Sequence, residues 1–279
     1  MSSNKQKNTR WRIAQSFEQS GLENKDNITE WLIVRRLTWQ SLLDLLDGDI
    51  PFDNSKRILD IGCGPTSIFL SLRTGQKYAL DPNIEYLFKL HPFMRDVEEY
   101  KDVTFLSSSI EKISYEKQFD TVFMINMLDH VNNLESIRDK IYEILKPGGS
   151  LVIVVDCYPD ILVREIIRRF DVDLPHPHHF IEQDIIQMFN TYKLQKNCSA
   201  QQVFSEANFK GQTSDIEFHR LDRFLKRMKE HLMIEGKGNI TFTVKYLLCY
   251  TMSLSVGIIR RKTVPIHPLK KPRLFVLKK

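Results

Sequence analysis

Short apolar runs alternate with amphipathic stretches along the chain from about residue 28. The apolar runs are nearly continuous and rich in β-branched residues, which is typical of strands that are covered on both faces of a sheet. The amphipathic stretches have apolar residues at helical spacing. Alternating strands and helices predict βαβ units around a mostly parallel sheet, so we expect an α/β protein. The predicted strands of this half are 57–61, 77–81, 103–107, 119–125 and 150–155, and the predicted helices are 28–47, 67–73, 83–95 and 133–145.

The second half of the chain has a less regular pattern. We expect an N-terminal helical extension over residues 1–50, followed by one α/β domain over 51–279. That domain should carry insertions at about 157–265, because the regular alternation stops there. The remaining predicted elements are helices at 160–170, 181–193 and 216–235 and a last strand at 274–277.

The formal net charge of +5 comes from the two ends of the chain. Residues 1–12 contain four basic residues and residues 258–279 contain eight, with no acid in either segment, so residues 13–257 carry a net charge of −7. Nucleic-acid binding usually needs a basic stripe on the folded surface. This charge distribution therefore makes a nucleic-acid partner unlikely, although the basic ends could still contact phosphates.

The cysteines and the apolar segments indicate in which cellular compartment the protein works. The four cysteines are widely spread and form no C-x-x-C pair, which favours a reducing environment. The N-terminal residues lack the apolar stretch of a secretory signal, and the apolar segment 246–259 is too short to span a bilayer. We therefore expect a cytoplasmic protein with no membrane span. The segment 246–259 and the predicted helix 216–235 could form a homodimer contact or cover the functional site.

The first predicted strand runs into a glycine turn, G-C-G at residues 62–64. Glycines at such a turn let the backbone approach a bound ligand, and the N–H groups that follow can bind it. Asp81 ends the second strand 21 residues after Asp60, at a place where a carboxylate can accept hydrogen bonds from two ribose hydroxyls. A dinucleotide fingerprint would need glycine at position 67, which is Ser67. The pattern favours an adenosyl cofactor over a nicotinamide dinucleotide.

Four motifs follow one another between residues 55 and 156: D-I-G-C-G-P, A-L-D-P, F-D-T-V-F-M-I-N-M-L-D-H-V and L-K-P-G-G-S-L-V-I-V-V. In this order they resemble the class I S-adenosylmethionine-dependent methyltransferases. The resemblance implies a Rossmann-like, doubly wound α/β fold with a mostly parallel seven-stranded sheet and helical insertions in the C-terminal half. It also implies that the cofactor is S-adenosyl-L-methionine, which leaves as S-adenosyl-L-homocysteine.

The resemblance also implies which residues hold the cofactor. Asp60 and the glycine turn would bind its methionine part, and Asp81 would bind the ribose hydroxyls. Ser109 stands where the family often has an acid facing the adenine, and its hydroxyl can accept a hydrogen bond instead. Met127 and Leu128 could also be plain core residues. The implied cofactor-binding set is Asp60, Gly62, Cys63, Gly64, Asp81, Pro82, Asn83, Ser109, Ile110, Asn126, Met127 and Leu128.

Four histidines are candidate catalytic residues. His130 resembles the histidine of the family's L-x-H-V variant, although it could equally be structural. His176, His178 and His179 lie in the segment 171–180, which could form a proline-rigidified lid, supply a general base or bind a metal. We favour the lid. Adjacent histidines in an extended segment point in opposite directions, so we predict no metal site.

The sequence thus predicts a methyltransferase that acts at oxygen on a small molecule or a glycan. After the fourth strand the chain reads I-N-M-L, and it lacks the (N/D)-P-P-(Y/F) and Pro-Cys motifs that methyltransferases of nucleic-acid bases carry there. Two alternatives remain open. One is a non-catalytic or degenerate S-adenosylmethionine-binding module, and the other is a protein or RNA methyltransferase recruited through the basic ends.

Overall fold

Strands and helices alternate in the part of the chain that the computed structural model describes, which is residues 28–170, 173, 176–204, 244, 248 and 270–279. The predicted helix 216–235 and nearly all of the stretch 246–259 lie outside these residues. The strands are β1 (Arg57–Ile61), β2 (Gln76–Leu80), β3 (Val103–Leu106), β4 (Phe119–Ile125), β5 (Leu145–Tyr158), β6 (Phe180–Ile181), β7 (Lys193–Ser199) and β8 (Lys271–Lys278). The helices are α1 (Ile28–Leu45), α2 (Ile84–Leu90), α3 (Phe93–Asp96), α4 (Leu134–Ile144), α5 (Ile161–Phe170), α6 (Glu182–Met188) and α7 (Gln201–Phe204).

The strands form one sheet in the order β3-β2-β1-β4-β5-β8-β7. Strands β1 to β5 pair in parallel, whereas β8 is antiparallel to both of its neighbours. This mostly parallel, seven-membered path confirms the predicted fold class, and the two-residue strand β6 pairs beside the end of β5. Strand order reverses between β1 and β4. In open α/β sheets, ligands bind beyond the carboxyl ends of the strands at such a point.

Both faces of the sheet are covered, which explains why the strands are apolar along their whole length. In β5, Val152 belongs to a buried cluster that includes Leu42 of α1. The next position along the chain, Leu151, belongs to a second cluster that includes Ile141 of α4. All four side chains are fully buried, and each contributes about 1.5–3 kcal/mol of hydrophobic stabilisation.

Helix α1 is attached to the sheet domain by polar contacts as well as by its apolar face. The Trp39 indole N–H donates to the carbonyl oxygen of Thr66 at 2.9 Å. Arg36 and Arg73 both donate to the buried carboxylate of Glu99, at 2.9 Å each. These ion pairs hold the pKa of Glu99 at about 2, because the two guanidinium groups outweigh the effect of burial. The division of the chain into 1–50 and 51–279 stays a prediction.

Two predicted helices of the first half are wrong in extent. The segment 67–73 forms only a 3₁₀ turn over Ile68–Leu70, because Gly75, with φ +95°, leads almost at once into β2. The segment 83–95 splits into α2 and α3 around Pro92. Proline lacks a donor N–H and disfavours helical geometry in the residue before it, so one continuous helix cannot form there.

The predicted helix 181–193 is also shorter than expected. Helix α6 ends at Met188, and strand β7 begins at Lys193, so the sequence pattern missed β7 as well as the two-residue strand β6. Strand β7 is an edge strand that pairs with β8 alone along the path of the sheet. No helix in the described segments combines the length and the hydropathy needed to cross a membrane.

Candidate functional site

A cavity of about 260 Å³ opens where β1, β2 and β4 end. Its walls come from the residues that directly follow these strands, which is where the reversal of strand order predicts a ligand site. We call it the strand-end cavity. Its lining residues are Gly62, Gly64, Asp81, Pro82, Asn83, Leu87, Ser109, Ile110, Glu111, Asn126, Met127, His130, Val131, Asn132 and Ile137.

The glycine turn after β1 forms one wall of the strand-end cavity. Gly62 and Gly64 have φ values of +68° and +54°, a backbone region that favours glycine. A Cβ atom on Gly62 would lie 2.8 Å from the Cβ of Met127, whereas one on Gly64 would meet no atom of the described residues within 4 Å. The backbone at Gly62 is therefore closely packed against the Met127 side chain. At Gly64 the backbone is open to a ligand.

Asp81 connects this turn to the end of β2. One carboxylate oxygen accepts a hydrogen bond from the Asn83 backbone N–H at 2.8 Å, and the other accepts from the Gly64 N–H at 3.2 Å. A carboxylate has about four lone-pair positions. It can therefore fix the turn and also accept hydrogen bonds from a ligand in the cavity.

Three of the predicted cofactor residues do not line the cavity. The Asp60 carboxylate is 3% exposed and accepts hydrogen bonds from Ser67 Oγ at 2.6 Å and Ile68 N at 3.2 Å. It supports the turn from below, and burial raises its pKa to about 6. Cys63 and Leu128 are buried in the two apolar clusters of the sheet. Burial also raises the pKa of the Cys63 thiol.

Next to this cavity, Asp129, His130 and His176 form a compact group that we call the His–Asp cluster. His130 itself lines the cavity. Its ring centroid lies 4.8 Å from that of His176. The two carboxylate oxygens of Asp129 lie 3.7 Å from the Nε2 atoms of His130 and His176, one oxygen facing each ring. The cluster combines two residues that follow β4 with one residue of the predicted lid segment.

Further charged groups hold His176 in the cluster. Its Nδ1 lies 2.5 Å from Asp173 Oδ1 and 2.9 Å from Lys270 Nζ. The same ammonium group lies 3.3 Å from Asp173 and 3.7 Å from Asp156. Asp173 also accepts a 2.6 Å hydrogen bond from the Tyr158 hydroxyl. Hydrogen bonds and ion pairs of buried side chains therefore connect the end of β5 and the start of β8 with Asp173 and His176.

The electrostatics of this network favour its charged forms. Burial opposes a charge on each group, but at Asp173, His176 and Lys270 the opposite charges nearby outweigh it. The pKa of Asp173 consequently lies well below its ordinary value, mainly because of His176 and Lys270. The pKa of His176 is raised chiefly by Asp173, and that of Lys270 is raised by the surrounding carboxylates. Burial raises the pKa of Asp156.

The other two predicted histidines lie apart from the cavity. His178 Nε2 is 2.8 Å from the carbonyl oxygen of Val131, and its ring stacks on Phe180. His179 Nε2 is 3.6 Å from Asp173, and its ring makes an edge contact with Tyr158. Both histidines fasten their segment to its surroundings.

Sequence reasoning missed several residues of this network. Asp129 directly precedes the predicted His130, so its position was a usable signal. Asp156 follows the predicted fifth strand and could have been found by the same argument that found Asp81. Nothing local marked Lys270, which follows the region where the apolar pattern becomes irregular.

A match to a known family identifies the family to which the chain belongs. A family model described as a methyltransferase domain matches residues 33–211, which is more than half of the chain. The chain belongs to the class I S-adenosylmethionine-dependent methyltransferases. The predicted family and fold class are thereby confirmed, as is S-adenosylmethionine as the cofactor that this family uses.

The relatives of this methyltransferase cover only part of its length. It is 28% identical over 147 residues to the malonyl-[acyl-carrier protein] O-methyltransferase of Calditerrivibrio nitroreducens, covering 52% of this chain and 51% of that protein. It is 35% identical over 102 residues to the mitochondrial ubiquinone biosynthesis O-methyltransferase of Rattus norvegicus, covering 35% and 30% respectively. The methyltransferase thus spans about half or less of the length of these relatives.

A solved structure supports the fold independently. The YcgJ protein from Bacillus subtilis superposes with a TM-score of 0.57 at 13% sequence identity, covering 86% of this chain and 97% of that one. At this identity the likeness shows the fold of the methyltransferase and nothing about its acceptor.

Proposed function

We propose that this methyltransferase transfers the methyl group of S-adenosylmethionine to an oxygen atom of a small molecule or glycan. The observation that carries the proposal is the position of His130, which lines the strand-end cavity and also belongs to the His–Asp cluster. A cofactor site and a group of proton acceptors are therefore adjacent. Two relatives, whose names describe O-methyltransferases, support oxygen as the atom methylated.

The strand-end cavity has the chemistry that an adenosyl cofactor needs. When bound, S-adenosylmethionine supplies an electrophilic methyl group on a sulfonium. Asp81 would accept hydrogen bonds from the ribose hydroxyls, and the backbone at Gly64 would lie against the methionine part. Ser109 offers a hydroxyl, and Ile110 and Met127 offer apolar surface for the adenine. Pro82, Asn83, Asn126 and Gly62 would complete the contacts, and Asp60 would act by supporting the turn.

A hydroxyl acceptor has to lose its proton during the transfer. The S–CH₃ bond breaks as the O–CH₃ bond forms, and the acceptor proton must pass to the protein or to water. Of the four predicted histidines, we assign this role to the cluster of His130 and His176. The neighbouring Asp129 would stabilise the positive charge that a histidine gains with the proton. His178 and His179 would hold the segment in place.

Calorimetric titration with S-adenosylmethionine, S-adenosylhomocysteine and NAD tests the cofactor assignment. We expect both adenosyl ligands to bind at micromolar levels or tighter and NAD not to bind. Asp81→Ala should weaken adenosyl binding by about 1–3 kcal/mol, or roughly 5- to 150-fold, because a charged hydrogen-bonding partner is lost. If NAD alone binds, the cofactor assignment is wrong.

Asp53→Ala is the matched control for that variant. Asp53 accepts a 2.8 Å hydrogen bond from the N–H two residues later, as Asp81 does, but it lies outside the cavity. Its removal should leave the affinity for S-adenosylmethionine unchanged. Equal losses in both variants would mean that the loss in Asp81→Ala does not come from a contact with the ligand in the cavity.

Transfer of a labelled methyl group tests the acceptor class. The full chain would be incubated with methyl-labelled S-adenosylmethionine and panels of small hydroxyl compounds, glycans, RNA and proteins, and the product would be identified by NMR. We expect methoxy products from the small-molecule or glycan panel. Label found only in RNA or protein would contradict the proposal, and binding without transfer to any panel would favour the degenerate module.

A further inference from the structure

We propose that Asp129, His130 and His176 bind one divalent cation of the zinc type beside the strand-end cavity. Two imidazoles and one carboxylate form a ligand set that first-row divalent metals accept, with positions left for a further ligand. The purpose of the ion rests on the proposed function, because the ion would act on the same acceptor. Its binding can be measured without any acceptor.

The distances within the His–Asp cluster suit a single ion. The ligand atoms of the three residues all lie within 4.8 Å of one another, and each histidine Nε2 is 3.7 Å from an Asp129 oxygen. Zinc binds nitrogen and oxygen at about 2.0–2.2 Å, so tetrahedral ligands lie about 3.4 Å apart. Contraction by a few tenths of an ångström closes each Asp–His pair around an ion, and a ring rotation brings the two imidazoles together.

His176 is already oriented as a metal ligand. Its Nδ1 lies 2.5 Å from Asp173, and because a carboxylate can only accept, this contact favours a proton on Nδ1. An ion would displace the proton from Nε2, the ring nitrogen that faces Asp129. A histidine that donates one N–H to a carboxylate while the other nitrogen binds the ion is the usual second shell of a metal site.

The Asp129 carboxylate supplies a second, independent observation. The side chain is 4% exposed, and its Oδ1 has no hydrogen-bond partner within the described part of the chain. A buried carboxylate oxygen without a hydrogen bond is costly. An ion between Asp129 and the two histidines would satisfy that oxygen.

The charge around the cluster also favours a cation. Three carboxylates, those of Asp129, Asp156 and Asp173, surround one ammonium group, that of Lys270, in the described residues. With neutral histidines, this group of four side chains carries two excess negative charges, which one divalent ion would neutralise. Lys270 approaches His176 at its Nδ1 edge, whereas the Nε2 atom faces Asp129.

An ion at this position would serve the proposed reaction. Because His130 lines the strand-end cavity, an open coordination position there could take the acceptor oxygen. A bound cation lowers the pKa of such an oxygen and orients it. With the ion bound, His130 and His176 act as ligands and not as proton acceptors, and the acceptor proton passes to water. The inference departs from the absence of a metal predicted from sequence, which considered only neighbouring histidines of one segment. Here the ligands come from two separate segments.

Metal titration of the chelator-treated full chain tests the inference. Cobalt(II) serves as a spectroscopic probe of coordination, and zinc affinity is measured by competition with a chromophoric chelator. We expect one ion per chain and cobalt absorption typical of nitrogen and oxygen ligands. His176→Ala and Asp129→Asn should each weaken zinc binding at least 100-fold, and Asp173→Asn should weaken it by about 10- to 100-fold through the orientation of His176.

His178→Gln is the matched control, because glutamine can still donate to the Val131 carbonyl and His178 lies outside the ligand set. It should bind zinc as the unaltered chain does. Titration of every variant with S-adenosylmethionine shows whether the fold is intact and separates the two proposals. Adenosyl binding without a cation would overturn this inference alone, as would zinc affinity that is unchanged in His176→Ala and Asp129→Asn. Cation binding without adenosyl binding would overturn the proposed function alone.

Discussion

Replacement of Gly62 by alanine tests the packing of the glycine turn behind the strand-end cavity. The backbone there has φ +68°, and an added Cβ would lie 2.8 Å from the Met127 Cβ and 3.3 Å from its Cγ. The left-handed conformation costs alanine about 1 kcal/mol after allowance for the unfolded chain. Overpacking adds about 1–3 kcal/mol. We therefore expect Gly62→Ala to lower the free energy of unfolding by about 2–4 kcal/mol.

Gly48→Ala separates the two contributions. Gly48 has a similar φ of +78°, but a Cβ there would meet no atom within 4 Å. This variant should lose only the conformational term, about 1 kcal/mol. Urea denaturation followed by circular dichroism gives the free energy of unfolding of both variants. Gly62→Ala should also lower the affinity for S-adenosylmethionine, measured by calorimetry, by about tenfold or more, because Met127 lines the cavity and has to move.

The reasoning is refuted if Gly62→Ala is no less stable than Gly48→Ala. Such a result would mean that Met127 moves aside without loss, so the turn is not closely packed. A stable Gly62→Ala protein with unchanged affinity for S-adenosylmethionine would further show that this wall does not shape the cofactor site.

Two pH-dependent predictions follow from other buried carboxylates. Burial raises the pKa of Asp60 to about 6 from an ordinary 3.8. The free energy of unfolding therefore falls by about 3 kcal/mol as pH rises from about 4 to above 6. Asp60→Asn can still accept the hydrogen bond from Ser67 and should remove this pH-dependent loss in urea unfolding curves recorded between pH 4 and 7.5. An increase in the free energy of unfolding that is the same at every pH would contradict the raised pKa of Asp60. Glu99 has its pKa lowered to about 2 by Arg36 and Arg73, so its contribution is complete above about pH 4.5 and disappears as pH falls through 2. Glu99→Gln should therefore lower the free energy of unfolding by about 1–3 kcal/mol at pH 7; a destabilisation that persists at pH 2 would exclude this explanation.

Local sequence patterns were sufficient for the parallel strands β1 to β4 and for much of the cavity wall. The strands over 57–61 and 119–125 have the predicted bounds, because continuous apolar runs between turn residues have few other stable conformations. Gly62, Gly64 and Asp81 line the cavity as their positions after strands predicted. In a parallel sheet, residues that follow neighbouring strands meet at one edge, so position along the chain fixes position in space.

Patterns failed where a partner distant in sequence determines the local structure. The predicted helix 181–193 ends where β7 (Lys193–Ser199) begins, and this strand was not predicted because β8 pairs with it from about 80 residues later. The strand β5 likewise extends back to Leu145, ahead of the predicted start at residue 150, with a register shift against β4 between Phe119 and Thr121. Hydrogen bonds to a remote strand do not appear in local periodicity.

The sequence by itself determined the family, the parallel strands of the sheet and the residues at the ends of β1 and β2 that line the cavity, since these depend on patterns within successive βα units. Only the tertiary structure decided the composition of the His–Asp cluster. Asp129 follows β4, His176 lies about 45 residues later, and Lys270 directly precedes β8. Burial then couples their charges strongly, and no pattern within a single segment can indicate which distant charges the fold buries together.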